Sequence, residues 1–333
     1  MLKTLRNLIF LAVLLAVAAG GGFYLWVSSP LNLVRSPLEF DIEPGSSLRS
    51  VARQLNEAGI AIDPRVFVLL GKLSSAETSL KAGSYVIESG STARDLLAKL
   101  TRGDVTQSDL AFIEGWTFRQ MRDRLDAHPD LRHDARGLSD AELLRRIGAP
   151  ESAAEGLFFP DTYTFARRSS DIDLLARAYR TMQRRLAREW EGRASGLPYR
   201  SPYEALIMAS IVEKETGRDS DRPLISAVFV NRLRQGMPLQ TDPTVIYGLG
   251  DRFDGNLRRR DLTSDTPFNT YTRSGLPPTP IALPGLAALH ATLHPANSRA
   301  LYFVARGDGS SVFSETLDAH NTAVARYQKG KTR

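Results

Sequence analysis

The stretch Tyr203–Thr216, YEALIMASIVEKET, combines a long apolar run with two acids and a lysine at its end. Ser201 and Pro202 before it are typical of an N-cap and a first helical position, and Gly217 after it is typical of a helix stop. Residues 205–212 leave almost no polar face, and a helix that is apolar all round is a buried helix. The sequence therefore predicts a core helix whose C-terminal acids emerge from apolar surroundings.

The two acids are Glu213 and Glu215. A carboxyl group in such a place ionises with difficulty, so its pKa rises and it can donate a proton near neutral pH. Two residues on a helix turn about 200° around the axis, so the two side chains point to opposite sides. The neighbouring residues on the helix do not show which of the two acids is the proton donor. An ion pair with Lys214, or another purely structural role, is the alternative for either acid.

Composition sets limits on the class of protein. The 333 residues carry a net charge of +6 with 24% charged residues, and the length permits two or three domains. A basic excess spread along the chain fits a solvated surface, or affinity for anionic lipid, wall polymer or nucleic acid. There are no cysteines, which excludes structural disulfides and cysteine-based metal sites.

The N-terminus predicts a membrane anchor. Lys3 and Arg6 precede the uncharged run Leu8–Val27, and about 20 apolar residues are enough to span a bilayer. The positive flank is expected to stay in the cytoplasm, which makes residues 1–7 a cytoplasmic tail and sends the rest of the chain outside. The alternative is a signal peptide cleaved near Ala16–Ala19; the apolar run continues past that point and favours a retained helix at 8–27.

Residues 28–38 contain two prolines and predict a linker. The segment 39–105 then repeats a pattern of strand, glycine turn, hydroxyl cap and amphipathic helix, first from Ile42 and again, 45 residues later, from Ile87. A shortened third copy begins at Ile113. The pattern predicts small α+β units and resembles LysM-type glycan-binding modules, with plain structural packing as the alternative.

The next segment, residues 106–200, is helical and rich in aromatic residues. Its stretch Glu155–Phe165, EGLFFPDTYTF, leaves two interpretations open. The aromatic rings either form core, or they are exposed and stack on sugar faces while Asp161 bonds a hydroxyl group. Residues 171–190 predict an amphipathic scaffold helix.

Polar residues cluster in the loops after the key helix. Asp242 precedes Pro243, so it suits either an N-cap or a place beside the buried acid. The proline-rich loop 274–285 is stiff enough to form the wall of a site. The candidate residues for lining a cleft are Gln240, Thr241, Asp242, Asn269, Tyr271, His320 and Asn321.

Several kinds of chemistry have no motif here. The sequence contains no HExxH, CxxC, GxSxG or Walker A pattern, and no spacing that we associate with a metal site. Basic residues do not alternate with aromatic ones as in a nucleic-acid groove. We therefore expect no cofactor, no metal and no nucleic-acid partner. Carboxyl chemistry on an extracytoplasmic substrate remains, and glycosidic cleavage needs a protonated acid at the leaving oxygen.

A run of motifs in fixed order resembles one family. ASIVEKET, VFVNRL, LQTDPTVIYG, NTYTRSGLPPTPI, LYFVA and a late HN pair are similar to the endolytic murein transglycosylase (YceG-like) family. The resemblance covers the chain past the linker. It implies an α+β fold with one N-terminal transmembrane helix, LysM-like modules and a mixed α+β catalytic domain at 106–333. It also implies a cell inner membrane protein whose bulk is periplasmic.

The family implies endolytic cleavage of the bond between N-acetylmuramic acid and N-acetylglucosamine in nascent peptidoglycan strands. The products carry 1,6-anhydro ends, and cleavage ends strand elongation. The resemblance assigns the catalytic role to the first acid of IVEKET, Glu213, and leaves the roles of Glu215 and Asp242 open. Implied partners are glycan strands, the membrane and peptidoglycan synthases. The alternatives are a membrane-anchored glycan-binding scaffold without catalysis, or a muramidase that uses water.

Overall fold

The computed structural model describes residues 2–76 and 79–328. The chain divides into two compact units. Unit 1 comprises residues 1–109, 130–132 and 164–169, and unit 2 comprises residues 110–129, 133–163 and 170–333. Each unit has its own apolar core.

Helices make up most of the regular structure. In chain order they are α1 Leu2–Ser28, α2 Leu48–Glu57, α3 Pro64–Leu73, α4 Ala93–Arg102, α5 Phe118–Asp126, α6 Asp140–Ile147, α7 Asp171–Glu191, α8 Pro202–Glu215, α9 Arg222–Arg234, α10 Asp242–Leu249, α11 Arg259–Thr263, α12 Leu286–Leu293 and α13 Leu317–Tyr327. The strands are short: β1 Asn32–Leu33, β2 Leu38–Ile42, β3 Ile60–Ala61, β4 Gly83–Ile87, β5 Gln107–Ala111, β6 Leu131–Arg132, β7 Thr162–Ala166, β8 Ser169–Ser170, β9 Tyr302–Ala305 and β10 Ser311–Ser314.

Helix α1 is long and apolar enough to cross a membrane from Lys3 to Ser28. Its apolar side chains are exposed along most of its length, as expected of a surface that lipid would cover. Only its C-terminal end packs on the core of unit 1, through Phe23, Trp26 and Val27. The helix includes residues 2–7, so the predicted tail continues the helix and is not a separate segment.

The repeated pattern of unit 1 is confirmed as local structure. Strand β2 leads into α2 and β4 leads into α4, and the two strands pair antiparallel with Leu38 opposite Ile87. Thr92 caps α4 in a reciprocal capping box with Asp95. The turn glycines Gly45 and Gly90 have φ of +76° and +91°, a conformation that only glycine adopts without strain.

The third copy of the pattern has the same turn and helix cap, but its strand pairs outside the repeat. Gly115 also has a φ of +76°, and Thr117 caps α5 in a box with Gln120, but β5 pairs with β7. Residues 28–38, which the sequence predicts to be a linker, contain the two-residue strand β1. Strand β1 pairs antiparallel with β3, with Asn32 opposite Ala61 and Leu33 opposite Ile60.

The core of unit 2 forms around α8, as the sequence predicts. Residues 205–212 are all buried, and α9 and α12 pack against them. Strands β9 and β10 pair antiparallel, with Val304 opposite Val312 and Phe303 opposite Phe313. In the aromatic stretch 155–165, Phe158 is fully buried and the other rings are nearly so. The interpretation of exposed rings that stack on sugars is therefore wrong, because these rings form core.

Candidate active site

Helix α8 carries Glu213 and Glu215 in its last turn. Ser201 caps the first turn by accepting a hydrogen bond from the Glu204 amide, and Pro202 occupies the first turn, as predicted. The end differs from the prediction. Thr216 terminates the helix in extended backbone, and Gly217 is not in the left-handed conformation of a glycine cap. The chain therefore leaves the helix directly after Glu215.

Glu213 lies among groups that stabilise its anion. Its Oε2 accepts a hydrogen bond from the Gly285 amide at 2.9 Å, and its Oε1 lies 3.4 Å from an Arg222 guanidinium nitrogen. Both side chains of this ion pair are less than a tenth exposed. Burial raises the pKa of Glu213 and the nearby Glu114 adds to the rise, while Gly285 and Arg222 oppose it. Gly285 also passes so close to Glu114 that a Cβ atom there would clash with the carboxylate.

Glu215 points to other surroundings. Burial raises the pKa of Glu215 to about 7, and the negative charge of Asp242 adds to the rise. The hydroxyl of Thr241 hydrogen-bonds Oε1 of Glu215 and is the one group that lowers the pKa. Among the described residues that act on this carboxyl there is no cation, in contrast with Glu213. Near neutral pH, Glu215 is therefore divided between its acid and its anion.

A buried arginine shapes the loop that carries Thr241. Arg232 on α9 donates to the carbonyls of Pro238 and Leu239, at 3.0 and 3.2 Å, and to Oε1 of Gln240 at 3.0 Å. Gln240 adopts a φ of +52°, a left-handed conformation that is costly for a side chain with a Cβ. The loop is held in this conformation beside the acid. Strained backbone held by its surroundings is common at functional sites.

Two predicted cleft residues form a pair next to Glu215. The hydroxyl of Tyr271 donates to the carboxylate of Asp242 at 2.5 Å. Asp242 is not the N-cap of α10; Thr241 holds that position, and no side-chain bond caps the helix. The structure thus brings Gln240, Thr241, Asp242 and Tyr271 together, and it brings them to Glu215.

Asn269 plays a different part from the one predicted. It is buried, its amide nitrogen donates to three carbonyls, those of Asp261, Leu262 and Ser264, and its oxygen accepts from the Tyr271 amide. These hydrogen bonds hold the loop and give Asn269 a structural role.

His320 and Asn321, the late HN pair, have different surroundings. The ring of His320 stacks on Tyr302 with centroids 5.2 Å apart, and Tyr302 lies below the guanidinium of Arg232. Burial lowers the pKa of His320, and the Arg232 charge lowers it further, which favours a neutral ring near pH 7. Asn321 is exposed and belongs to no described network of this site.

A third buried acid, Glu155, lines a separate cavity of about 630 Å³ in unit 2. Its carboxylate accepts the Phe118 amide at 2.9 Å and the Tyr247 hydroxyl at 3.0 Å. Burial nevertheless raises the pKa of Glu155 to about 7. Arg122 and Asp140, which form an ion pair with each other, lie on the same cavity wall.

Several residues around the acids carry little signal in the sequence. From the sequence alone, Arg222 and Arg232 look like ordinary cations on a helix surface, although Arg232 lies in the VFVNRL motif. Gly285 read as the end of a stiff loop. Glu155 is the first residue of the aromatic stretch, where its apolar neighbours drew attention to the rings and not to the acid. Its apolar context is the signal that could have identified it as a buried acid.

Buried carboxyl groups of raised pKa beside a polar loop are typical of enzymes that use general acid–base catalysis. Comparison with known proteins identifies the family within that class. The model of the YceG-like family matches residues 40–326, and the chain belongs to this family.

Curated relatives agree with the family match. The endolytic murein transglycosylase of Bacillus subtilis is 29% identical over 93% of this chain and 91% of its own length. The protein of the same name from Streptococcus pneumoniae is 28% identical over 97% of this chain and 65% of its own length. A crystal structure of a YceG-like protein from Listeria monocytogenes is 30% identical, with a TM-score of 0.54 over 86% of this chain and 98% of that one.

Proposed function

We propose that this protein is an endolytic peptidoglycan lytic transglycosylase. It cleaves the bond between N-acetylmuramic acid and N-acetylglucosamine within glycan strands and leaves 1,6-anhydro ends. The family membership and the names of its relatives support the reaction class. The observation in this chain that carries the proposal is the position of Glu215 at the end of the buried helix α8, where its carboxyl bonds the Thr241 hydroxyl next to the Asp242–Tyr271 pair.

The proposal assigns proton transfer to Glu215 and a supporting role to Glu213, which reverses the roles expected from the resemblance. A general acid works best when its pKa lies near the operating pH. Burial raises the pKa of both acids, and a like charge adds to the rise at each, Glu114 at Glu213 and Asp242 at Glu215. Among the described partners, Glu213 has a cation, Arg222, that opposes the rise, and Glu215 has none. The candidate cleft residues of the LQTD and NTY motifs also gather at Glu215.

In the proposed reaction, protonated Glu215 gives its proton to the glycosidic oxygen as the bond to the anomeric carbon breaks. The 6-hydroxyl oxygen of the same muramic acid then bonds that carbon, and its proton passes to the Glu215 carboxylate. The acid is regenerated, and no water is consumed. An internal nucleophile benefits from proximity, so a second carboxylate nucleophile is not required.

Thr241, Asp242 and Tyr271 tune this acid in the proposal. The Thr241 hydroxyl stabilises the anion that forms after the first proton transfer, and Asp242 restores the proton affinity needed for the next cycle. Tyr271 holds Asp242 in place. Gln240 and His320, which contact or face Arg232, line the same side of the site and are proposed to contact sugar. Asn321 remains a proposed substrate contact.

We further propose that α1 is a retained single-pass anchor of the inner membrane, with the N-terminus in the cytoplasm and the body in the periplasm. The order β2, α2, β3, α3 and β4, with β2 paired to β4, supports a LysM-like glycan-binding role for residues 39–105. Peptidoglycan synthases are the proposed protein partners, since a strand under construction is the substrate.

Mass spectrometry of peptidoglycan digested by the full chain in detergent tests the reaction. We expect new 1,6-anhydro ends in the wild type, and none in Glu215→Gln. New reducing ends would identify a muramidase that uses water. Strands bound without new ends would identify a glycan-binding scaffold.

A further inference from the structure

Three side chains of types that bind metal ions meet in unit 2, outside the proposed catalytic site. Asp126 is the last residue of α5, His133 lies in the loop after β6, and Asp171 is the first residue of α7. One ligand atom from each of them lies within 4.8 Å of the others. No motif in the sequence predicts this cluster, because its members come from separate segments. Carboxylate oxygen and imidazole nitrogen are both ligands of Zn²⁺ in proteins.

Two atoms of this cluster are buried without a hydrogen-bond partner. Asp171 is fully buried; its Oδ1 accepts from the Ala135 amide at 2.9 Å, but its Oδ2 has no partner among the described residues. The Nδ1 of His133 is also buried, and the described part of the chain offers it no partner either. Buried polar atoms are rarely left unsatisfied, and the cost is greatest for a charged group. A cation held between the two side chains would satisfy both.

The charges around the cluster also favour a cation. Burial raises the pKa of Asp171, the charge of Asp134 adds to the rise, and backbone amides and His133 oppose it. A bound cation would compensate for both the burial and the like charge. Arg136 faces Asp126, with 3.7 Å between Nε and Oδ1, and both side chains are more than a third exposed. Such an exposed pair contributes little, so a divalent ion can displace it.

The distances suit a small divalent ion. Three atoms within 4.8 Å of one another surround a point that lies no more than about 2.8 Å from each. Zn²⁺ binds these ligand types at about 2.0–2.2 Å, so shifts of roughly 0.7 Å complete the site. Asp126 and His133 are partly exposed and have room for such shifts. Asp126 also lines the cavity of about 630 Å³ that contains Glu155, which gives an ion and its water a path of entry.

The loop that carries His133 is held in place by protein groups alone. Arg122 on α5 donates to the carbonyls of Leu138 and Ala135, at 2.8 and 3.0 Å. The Ala135 amide in turn donates to Asp171 on α7. The ligands are therefore close together before an ion binds, and a preorganised site loses less conformational entropy on binding.

From this geometry we propose that Asp126, His133 and Asp171 bind a divalent transition-metal ion, with water in the remaining positions. The ion would join the end of α5, the loop after β6 and the start of α7, and so stabilise unit 2. The imidazole favours Zn²⁺ over Ca²⁺ and Mg²⁺, which prefer oxygen ligands. The proposal departs from the expectation that the chain binds no metal, and it does not rest on the glycan chemistry.

The test uses the full chain, free of any histidine tag, in detergent and stripped of metal with a chelator. Zn²⁺ is titrated against a chromophoric competitor, and the midpoint of thermal unfolding is measured with and without Zn²⁺. We expect one bound equivalent and a higher midpoint with Zn²⁺. Asp171→Asn keeps the side-chain shape and an acceptor for the Ala135 amide, and it should weaken Zn²⁺ binding roughly tenfold or more. His133→Ala should weaken it at least as much.

The surface pair His290 and Glu189 is a second place where Zn²⁺ can bind. His290→Ala is therefore the matched control and should keep both the bound equivalent and the thermal shift. The shift is read as the difference between the two midpoints of each variant, so a variant of lower intrinsic stability still gives an answer. No bound equivalent in the wild type, its persistence in Asp171→Asn and His133→Ala, or its loss in His290→Ala overturns the proposal. A thermal shift with Ca²⁺ equal to that with Zn²⁺ also overturns it, because imidazole is a poor ligand for Ca²⁺.

Discussion

Glu213 and Glu215, two residues apart at the end of α8, both have a pKa raised by burial, but their partners differ. Glu213 faces Arg222 and the Gly285 amide, which stabilise its anion, whereas Glu215 faces Asp242, which destabilises its anion. The 200° turn between them, about half a turn of the helix, is the cause. One helix end therefore presents an acid beside a cation on one side and an acid with a pKa of about 7 beside Asp242 on the other.

Asp242→Asn removes a negative charge beside Glu215 and keeps an oxygen that accepts from Tyr271. The pKa of Glu215 should fall, because the like charge that raises it is gone. The alkaline limb of the pH–rate profile should therefore move to lower pH, since the protonated fraction of an acid falls about tenfold for every pH step of one above its pKa. A profile measured as kcat/KM that moves upward, or stays unchanged, contradicts this role of Asp242.

Thr241→Val should act in the opposite direction. It removes the hydroxyl that stabilises the Glu215 anion, so the pKa of Glu215 rises and the alkaline limb moves to higher pH. The maximum rate should also fall, by an amount on the order of one lost hydrogen bond to a charged group, about 1.5–3 kcal/mol. Thr241→Ser keeps the hydroxyl and is the matched control; if it behaves like the valine variant, the hydroxyl is not the cause.

Arg222→Met should destabilise unit 2 by about 3 kcal/mol or more, because it leaves a carboxylate buried without its cation. The double variant Glu213→Gln, Arg222→Met should recover most of that loss, since no buried charge is left unpaired; Asp219, the other partner of Arg222, is exposed to water. Denaturant unfolding of the four proteins in one detergent measures the coupling. Additive single and double effects would show that the pair contributes no coupling.

Glu155 predicts a pH dependence of stability. Its pKa is raised from an ordinary value of 4.5 to about 7, so between these values the folded state holds a proton that the unfolded state has lost. Its stabilising contribution is complete below pH 4.5 and declines as the pH rises through 7. Relative to Glu155→Gln, the wild type should lose up to about 3 kcal/mol between pH 4.5 and 8. A constant difference across that range contradicts the buried, protonated Glu155.

Much of the fold could be predicted because it depends on local chemistry. The apolar run 205–212 required burial, Ser201 capped α8 where expected, and the repeated glycine turns needed left-handed backbone at Gly45 and Gly90. The membrane-length helix was visible from composition alone. The pairing of β1 with β3 was not, since two-residue strands carry no periodicity.

The site was harder to predict because it depends on contacts between distant segments. Glu213 and Glu215 look alike in sequence, and their difference comes from Arg222 on α9, Gly285 before α12 and Asp242 at the start of α10. The motif text identified the loops that assemble there. The motifs do not show that Asn269 bonds to carbonyl groups of its own loop, whereas Thr241 contacts Glu215.

The most direct test compares Glu215→Gln with Glu213→Gln in the full chain, by counting 1,6-anhydro ends released from purified peptidoglycan at pH 7. Both substitutions keep side-chain size, so each serves as the control for the other. We expect Glu215→Gln to lower the rate by at least a thousandfold, with Glu213→Gln retaining measurable cleavage. Undiminished release of anhydro ends by Glu215→Gln, with complete loss in Glu213→Gln, would return the proton to Glu213 and contradict the assignment.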